Sequence, residues 1–141
     1  MWPAKFEDRL QQWYDLRQQC LTMEPGQLLL TINNWWFRTP WQPYYLHWDD
    51  QEVWPNPWQL LDYNHYCSLA RCLGIVYTIL LLDRSDFDNI QIIDSGEDNL
   101  VLVDNEKYIL NWKPEEVLNI SSQYITIKQS LDSSRLVHFL G

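Results

Sequence analysis

A chain of 141 residues, 46% of them hydrophobic, is long and apolar enough to bury a core, which excludes disorder as its general state. Its formal charge of -9, from ten Lys and Arg against nineteen Asp and Glu, leaves no basic face for duplex phosphates, so nucleic acid is not an expected partner. The apolar run Leu73 to Leu82 is far short of the roughly 20 residues that span a bilayer, and "MWPAKFEDRLQQ" lacks the basic-then-apolar order of a signal peptide, so no membrane association is expected and the protein reads as soluble.

Between Lys5 and Cys20, Phe6, Leu10, Trp13, Leu16 and Cys20 recur at spacings of three and four, which predicts an amphipathic helix. After "TMEPG", with Thr22 as a candidate cap and Pro25 in the first turn, Leu28, Leu29, Ile32, Trp35 and Trp36 share one broad face and predict a second helix. From Arg38 to Pro57 the chain carries four prolines, the acidic "DDQE" and no sustained periodicity, and so reads as a structured loop held by tryptophans. A helical turn at "PWQLLDY" leads into Cys67 to Leu82, whose length favours a buried helix over a strand.

Beyond "DRSD", three strand candidates follow: "NIQIID", "NLVLVD" and "KYILNW". The last two flank "DNEK" and read as a hairpin. If the turn is a four-residue loop, Val103 faces Tyr108 and Asn99 faces Trp112, which by strand alternation puts Asn111 on the other face from Asn99, whereas a loop of three or five residues puts Asn99 and Asn111 on one face. "QYITIKQS" and the terminal "SRLVHFLG" are expected to extend the sheet. Helices first and sheet second indicate an α+β fold, with the helices packed on a small antiparallel sheet. One domain over residues 1–141 is expected: a helical pair over 1–37, a Trp/Pro-rich loop over 38–58, a central helical segment over 59–83 and the sheet over 84–141.

Three cysteines, Cys20, Cys67 and Cys72, form no CxxC pair, and the histidines His47, His65 and His138 are scattered, so neither a disulfide framework nor a metal site is predicted. Aromatic content is the outstanding feature: of nine tryptophans, six fall between Trp35 and Trp58. Such side chains favour cores and interfaces. Trp35, Trp36, Trp54 and Trp58 are expected to be mostly buried, and Trp41, Trp48 and Trp54 are the candidates for a protein-binding surface.

The run "LLLTINNWWFRTPW…VWPNPWQLLDYNHYCSLARCLG…NLVLVDNEKYILNW" resembles the bacterial transglutaminase-like cysteine proteinases of the papain-like superfamily. That family has a helix ending in an Asn-aromatic-aromatic-Asn type segment and then Trp-x-Thr-Pro-x-Glu-Phe-Leu. Gly-Asp-Cys-Glu-Asp opens its long helix, and a hairpin follows that begins His-x-Val-Leu and ends Leu-Asp-Asn. The resemblance implies a transglutaminase-like fold with Cys67 at the nucleophile position. Such a thiol lies at a helix N-terminus, beside a histidine base and an orienting Asp or Asn. Here Asn99 stands at the histidine position and Asn111 at the orienting one. An amide is no general base, so the triad is broken. Tyr66, Ser68 and Leu69 replace the acidic residues that bind calcium in some members, and no metal or cofactor is expected.

Two functions follow as expectations. One is a non-catalytic interaction or assembly module with protein partners. Its composition also resembles structural or assembly proteins of tailed bacteriophages, which would place it in a virion if phage-encoded and otherwise in the cytoplasm. The alternative is a cysteine hydrolase or amidase with Cys67 as nucleophile and His47 or His138 as a relocated base. His65, two residues before Cys67 at the helix entrance, is expected to point away.

Overall fold

Residues 2–104, 107–119 and 125–141 are described by the computed structural model of the chain. Among the described residues the α-helices precede the strands, and the strands form a five-stranded antiparallel sheet, so the fold is α+β. Helix α1, Phe6–Cys20, buries Trp13, Leu16 and Cys20, the face that its three-and-four spacing predicts. Arg9 on the same face is buried too, its Nε donating to the carbonyl of Leu61 at 2.7 Å.

Helix α2 runs Pro25–Trp36 and is capped by Glu24, whose carboxylate accepts the Gln27 N–H at 2.8 Å. Thr22 lies too far upstream to cap it. Between α2 and the next α-helix the loop contains a 3-10 helix, Trp48–Val53. Helix α3, Pro57–Tyr63, opens with a reciprocal capping box between Asn56 and Gln59 and ends at Asn64 in the left-handed conformation, which satisfies backbone groups that a short helix cannot pair internally.

Helix α4, Ser68–Leu82, is the central element and is buried almost all round. Inside it the Thr78 hydroxyl donates to the Gly74 carbonyl at 2.7 Å and accepts indole N–H groups from Trp13 at 2.9 Å and Trp36 at 3.0 Å. Two buried indoles thus spend their single polar atom on one hydroxyl. Rings of Trp2, Trp35, Trp36 and Tyr66 pack around this point with centroids 4.7–6.3 Å apart.

The strands are β1, Gln91–Asp94; β2, Asn99–Val103; β3, Tyr108–Lys113; β4, Glu116–Leu118; and β5, Gln129–Asp132, ordered β4-β3-β2-β1-β5. Ile92, Val101, Val103 and Leu110 join the core that contains α4, whereas Ile93, Leu100, Leu102 and Ile109 pack on the other face with Leu118 and Ile125. The expected pair Val103 and Tyr108 is present. Asn105 and Glu106 of the "DNEK" turn lie outside the described residues.

Three expectations change. The terminal segment Ser133–Leu140 is a 3-10 helix, not a strand. Asp132 caps it by accepting the Ser134 N–H at 2.9 Å, and Ser133, Leu136 and Phe139 recur at the three-residue period of that helix. Of "QYITIKQS", only Gln129 and Ser130 enter a strand, residues 125–128 are not in one, and Gln123 and Tyr124 lie outside the described residues. Trp58 is 39% exposed, because it sits on the outer side of α3 with its ring edge-on to Trp13 at 6.3 Å; Trp35, Trp36 and Trp54 are buried as expected.

Candidate functional site

Cys67 is the N-cap of α4, in extended conformation, and its Sγ accepts the Ala70 N–H at 3.5 Å. The residue before it is fixed from two sides. The Tyr66 hydroxyl donates to the Leu60 carbonyl at 3.0 Å, and the Tyr66 carbonyl accepts the Gln42 N–H at 2.8 Å, where Trp41 and Tyr66 form a parallel bridge. That bridge brings the 38–46 loop alongside the thiol. Cys67 is 5% exposed.

The first residue of β2 meets this helix end. The Asn99 N–H donates to Ser68 Oγ at 2.9 Å, its carbonyl accepts from Asn111 Nδ2 at 2.9 Å, and its side-chain Oδ1 accepts the Trp48 indole N–H at 2.8 Å. A cleft of about 200 Å³ lies between these groups. Trp41, Pro43, Tyr44 and Leu46 form its aromatic wall, Cys67, Ser68 and Leu69 its base, and Glu97, Asp98 and Asn99 the facing wall. The cysteine and asparagine that the sequence analysis singled out are therefore neighbours.

Asn111 is also there, against the strand-alternation expectation. The β2–β3 register runs as expected from Val103 and Tyr108 to Val101 and Leu110, but the φ of Asn111 is +66° and the β3–β4 ladder is irregular between Ile109 and Lys113. A left-handed residue breaks the two-residue alternation of side chains, so Asn111 turns onto the helix. Its Nδ2 reaches the carbonyls of Ser68 at 3.0 Å and Asn99 at 2.9 Å and the Cys72 sulfur at 3.2 Å. Asn33 of α2 holds this irregularity by accepting the Asn111 N–H at 2.9 Å and donating to the Lys113 carbonyl at 3.1 Å. The Asn111 amide is a brace between sheet and helix.

Arg71, one helical turn after Cys67, lies between the rings of Phe37 and Trp41, with its guanidinium carbon 4.2 Å and 5.2 Å from their centroids. Burial lowers its pKa, opposed by the nearby Cys72, Cys67 and Asp98. Its Nη1 approaches Asn111 Oδ1 at 3.5 Å, and its Nε has no hydrogen-bond partner among the described residues. The Cys72 thiol is fully buried, and that burial pushes its pKa up. Sequence reasoning missed Arg71 and Asn33. The signals were the i, i+4 spacing from Cys67 and a pair of amides inside the apolar face of α2.

None of the three histidines lines the cleft. His47 is exposed at the start of the 3-10 helix and its carbonyl accepts the Trp54 indole N–H at 2.9 Å; His65 is exposed with its ring 5.3 Å from Tyr45; His138 is exposed and stacks on Phe139 at 4.2 Å. Of the three tryptophans expected at an interface, only Trp41 is a surface group, at 56% exposure. Trp54 is buried because its indole closes the loop onto His47, and Trp48 is half-buried because its indole is tied to Asn99. Among the described residues no three His, Cys, Asp or Glu side chains come together as a metal site, and no helix is long and apolar enough to cross a membrane. No protein-family model, curated protein or solved structure matches the chain.

Proposed function

We propose that the chain is a non-catalytic protein-interaction module on a degenerate transglutaminase-like scaffold, with the cleft between Trp41–Leu46 and Glu97–Asn99 as its docking site. The observation that carries this reading is the use made of Asn99. At the position where the resembled family has its base, an amide takes the Trp48 indole N–H, and no imidazole lines the cleft. Cys67 then has no histidine beside it to take its proton, and the Asn111 amide is committed to Ser68, Asn99 and Cys72. The exposed Trp41 and Tyr44 beside it are the residue types that anchor protein partners. The proposal extends to a protein assembly as its setting, of which a tailed-phage virion is one.

Iodoacetamide at neutral pH, with the modified residue located by mass spectrometry, tests the non-catalytic part. Cys67 should react more slowly than free cysteine, being almost wholly buried. Alkylation faster than the free thiol, or hydrolysis of amide or ester substrates that is lost in Cys67→Ala, would overturn it in favour of a cysteine hydrolase.

A further inference from the structure

The cleft's chemistry selects among partners. Its volume, about 200 Å³, is that of one long side chain and not of a helix or a strand. The walls differ: Trp41, Pro43, Tyr44 and Leu46 offer apolar and aromatic surface, and Tyr44 is 84% exposed with its backbone in the left-handed region. Facing them, Glu97 and Asp98 are the charged lining groups, both exposed, and neither forms an ion pair with a described residue. The side chain that matches both walls has a long apolar stem and a cationic head.

From this match we infer that the cleft receives a single arginine or lysine side chain of a protein partner. Its stem lies along Pro43, Leu46 and Leu69, and its head meets the Glu97 and Asp98 carboxylates near the Tyr44 ring. The inference rests on the docking reading above and supplies the partner's chemistry. Two positive features oppose it: the N-terminus of α4, equivalent to roughly half a unit charge, and the Arg71 guanidinium. Arg71 does not line the cleft and is held between Phe37 and Trp41. Two solvent-facing carboxylates on the cleft wall therefore set the sign at its mouth, and the chain's net charge of -9 adds long-range attraction for a basic partner.

The test uses the whole chain, with its indole N–H signals followed by NMR, and N-acetyl-arginine methylamide as probe; the norleucine and glutamate analogues are titrated in parallel. The arginine probe should shift the Trp41 indole signal saturably, and Glu97→Gln/Asp98→Asn should weaken its binding by roughly tenfold or more. Glu7→Gln/Asp62→Asn removes the same charge at exposed positions away from the cleft and should leave binding within about twofold, as screened distant charges do.

Equal loss in both double variants would reduce the effect to general electrostatics and overturn the inference. So would equal binding of the norleucine analogue, and tighter binding of the glutamate analogue would assign the site to an anion at Arg71 instead. Failure of the arginine probe with Cys67 unreactive would leave a docking module of other chemistry. Cys67-dependent turnover would remove the docking reading itself.

Discussion

The side chain of Asn33 accepts the backbone N–H of Asn111 across 78 residues of sequence and returns a hydrogen bond to the carbonyl of Lys113. A side-chain amide has the donor and acceptor of a peptide group, so Asn33 stands in for the strand partner that β3 loses where its ladder slips. Asn33→Ala leaves a buried N–H without a partner and removes the bond to the Lys113 carbonyl, and should cost about 1–3 kcal/mol. The neighbouring Asn34 accepts the Glu115 N–H at 2.7 Å at an exposed site. Asn34→Ala should cost distinctly less. Urea denaturation of the two variants checks the order, and equal losses would show that Asn33 contributes only as an ordinary surface amide does.

Gly74 and Trp36 are packed so that a methyl group has no room: a Cβ on Gly74 would lie 2.5 Å from the Trp36 ring. Helix propensity favours Gly74→Ala by about 1 kcal/mol. Overpacking opposes it by roughly 1–3 kcal/mol, and the larger figure applies because the Trp36 indole is tied to Thr78 and cannot swing aside. Net destabilisation of about 1–2 kcal/mol is expected from these two effects. A raised denaturation midpoint in Gly74→Ala would show that the Trp36 ring yields.

Most of the helical half is legible in the sequence, because a three-and-four apolar spacing has one cheap solution. Phe6 to Cys20, Leu28 to Trp36 and the buried run to Leu82 all take it. The hairpin register is legible too, since Val101, Val103 and Leu110 must share the face toward the core. What the pattern does not carry is a single positive φ. At Asn111 it turns one side chain across the sheet and changes the candidate site from two separated amides into a connected network. Trp58 misleads for a related reason: the proline before it, Pro57, fixes the backbone and not the direction of the ring.

Trp58→Ala should accordingly be mild beside Trp13→Ala. Trp13 is fully buried and bonded to Thr78, whereas Trp58 keeps 39% of its surface in water. Costs of about 3–5 kcal/mol for Trp13 and about half that for Trp58 follow from the area each removes from water. Matched denaturation midpoints would place Trp58 in the core after all.

Alkaline pH should destabilise the protein. Burial raises the pKa of Cys20 to about 11, partly offset by the Arg84 charge, and burial also raises Cys72, Tyr66 and Tyr77. Each of these groups holds its proton more tightly when folded, so the unfolded chain deprotonates first and stability falls as pH rises. For Cys20 the loss begins near the unfolded thiol value, about 8.5, and continues to about 11. Melting temperatures measured from pH 7 to 11 should fall across that window, and less steeply in Cys20→Ala. A flat profile would mean that these groups are hydrated in the native state.

Replacing Asn99 by His puts an imidazole beside the cleft, yet the surrounding bonds predict little gain. The backbone N–H and carbonyl of residue 99 keep their bonds to Ser68 and Asn111, so the fold should survive. A neutral imidazole has one acceptor nitrogen, and the Trp48 indole N–H is already aimed at the side chain of residue 99. That nitrogen is the one that must take the thiol proton. Asn99→His alone should therefore change the rate of Cys67 alkylation at pH 7 by no more than about twofold. Asn99→His/Trp48→Phe frees the nitrogen and should accelerate the reaction by about tenfold or more, with a pH profile inflecting near the ordinary histidine value of about 6.5. If the single variant matches the double, Trp48 moves aside readily and the want of an imidazole at residue 99 alone silences Cys67; if neither reacts faster, residue 99 does not reach the sulfur, and the comparison of this cleft with a cysteine proteinase site ends there.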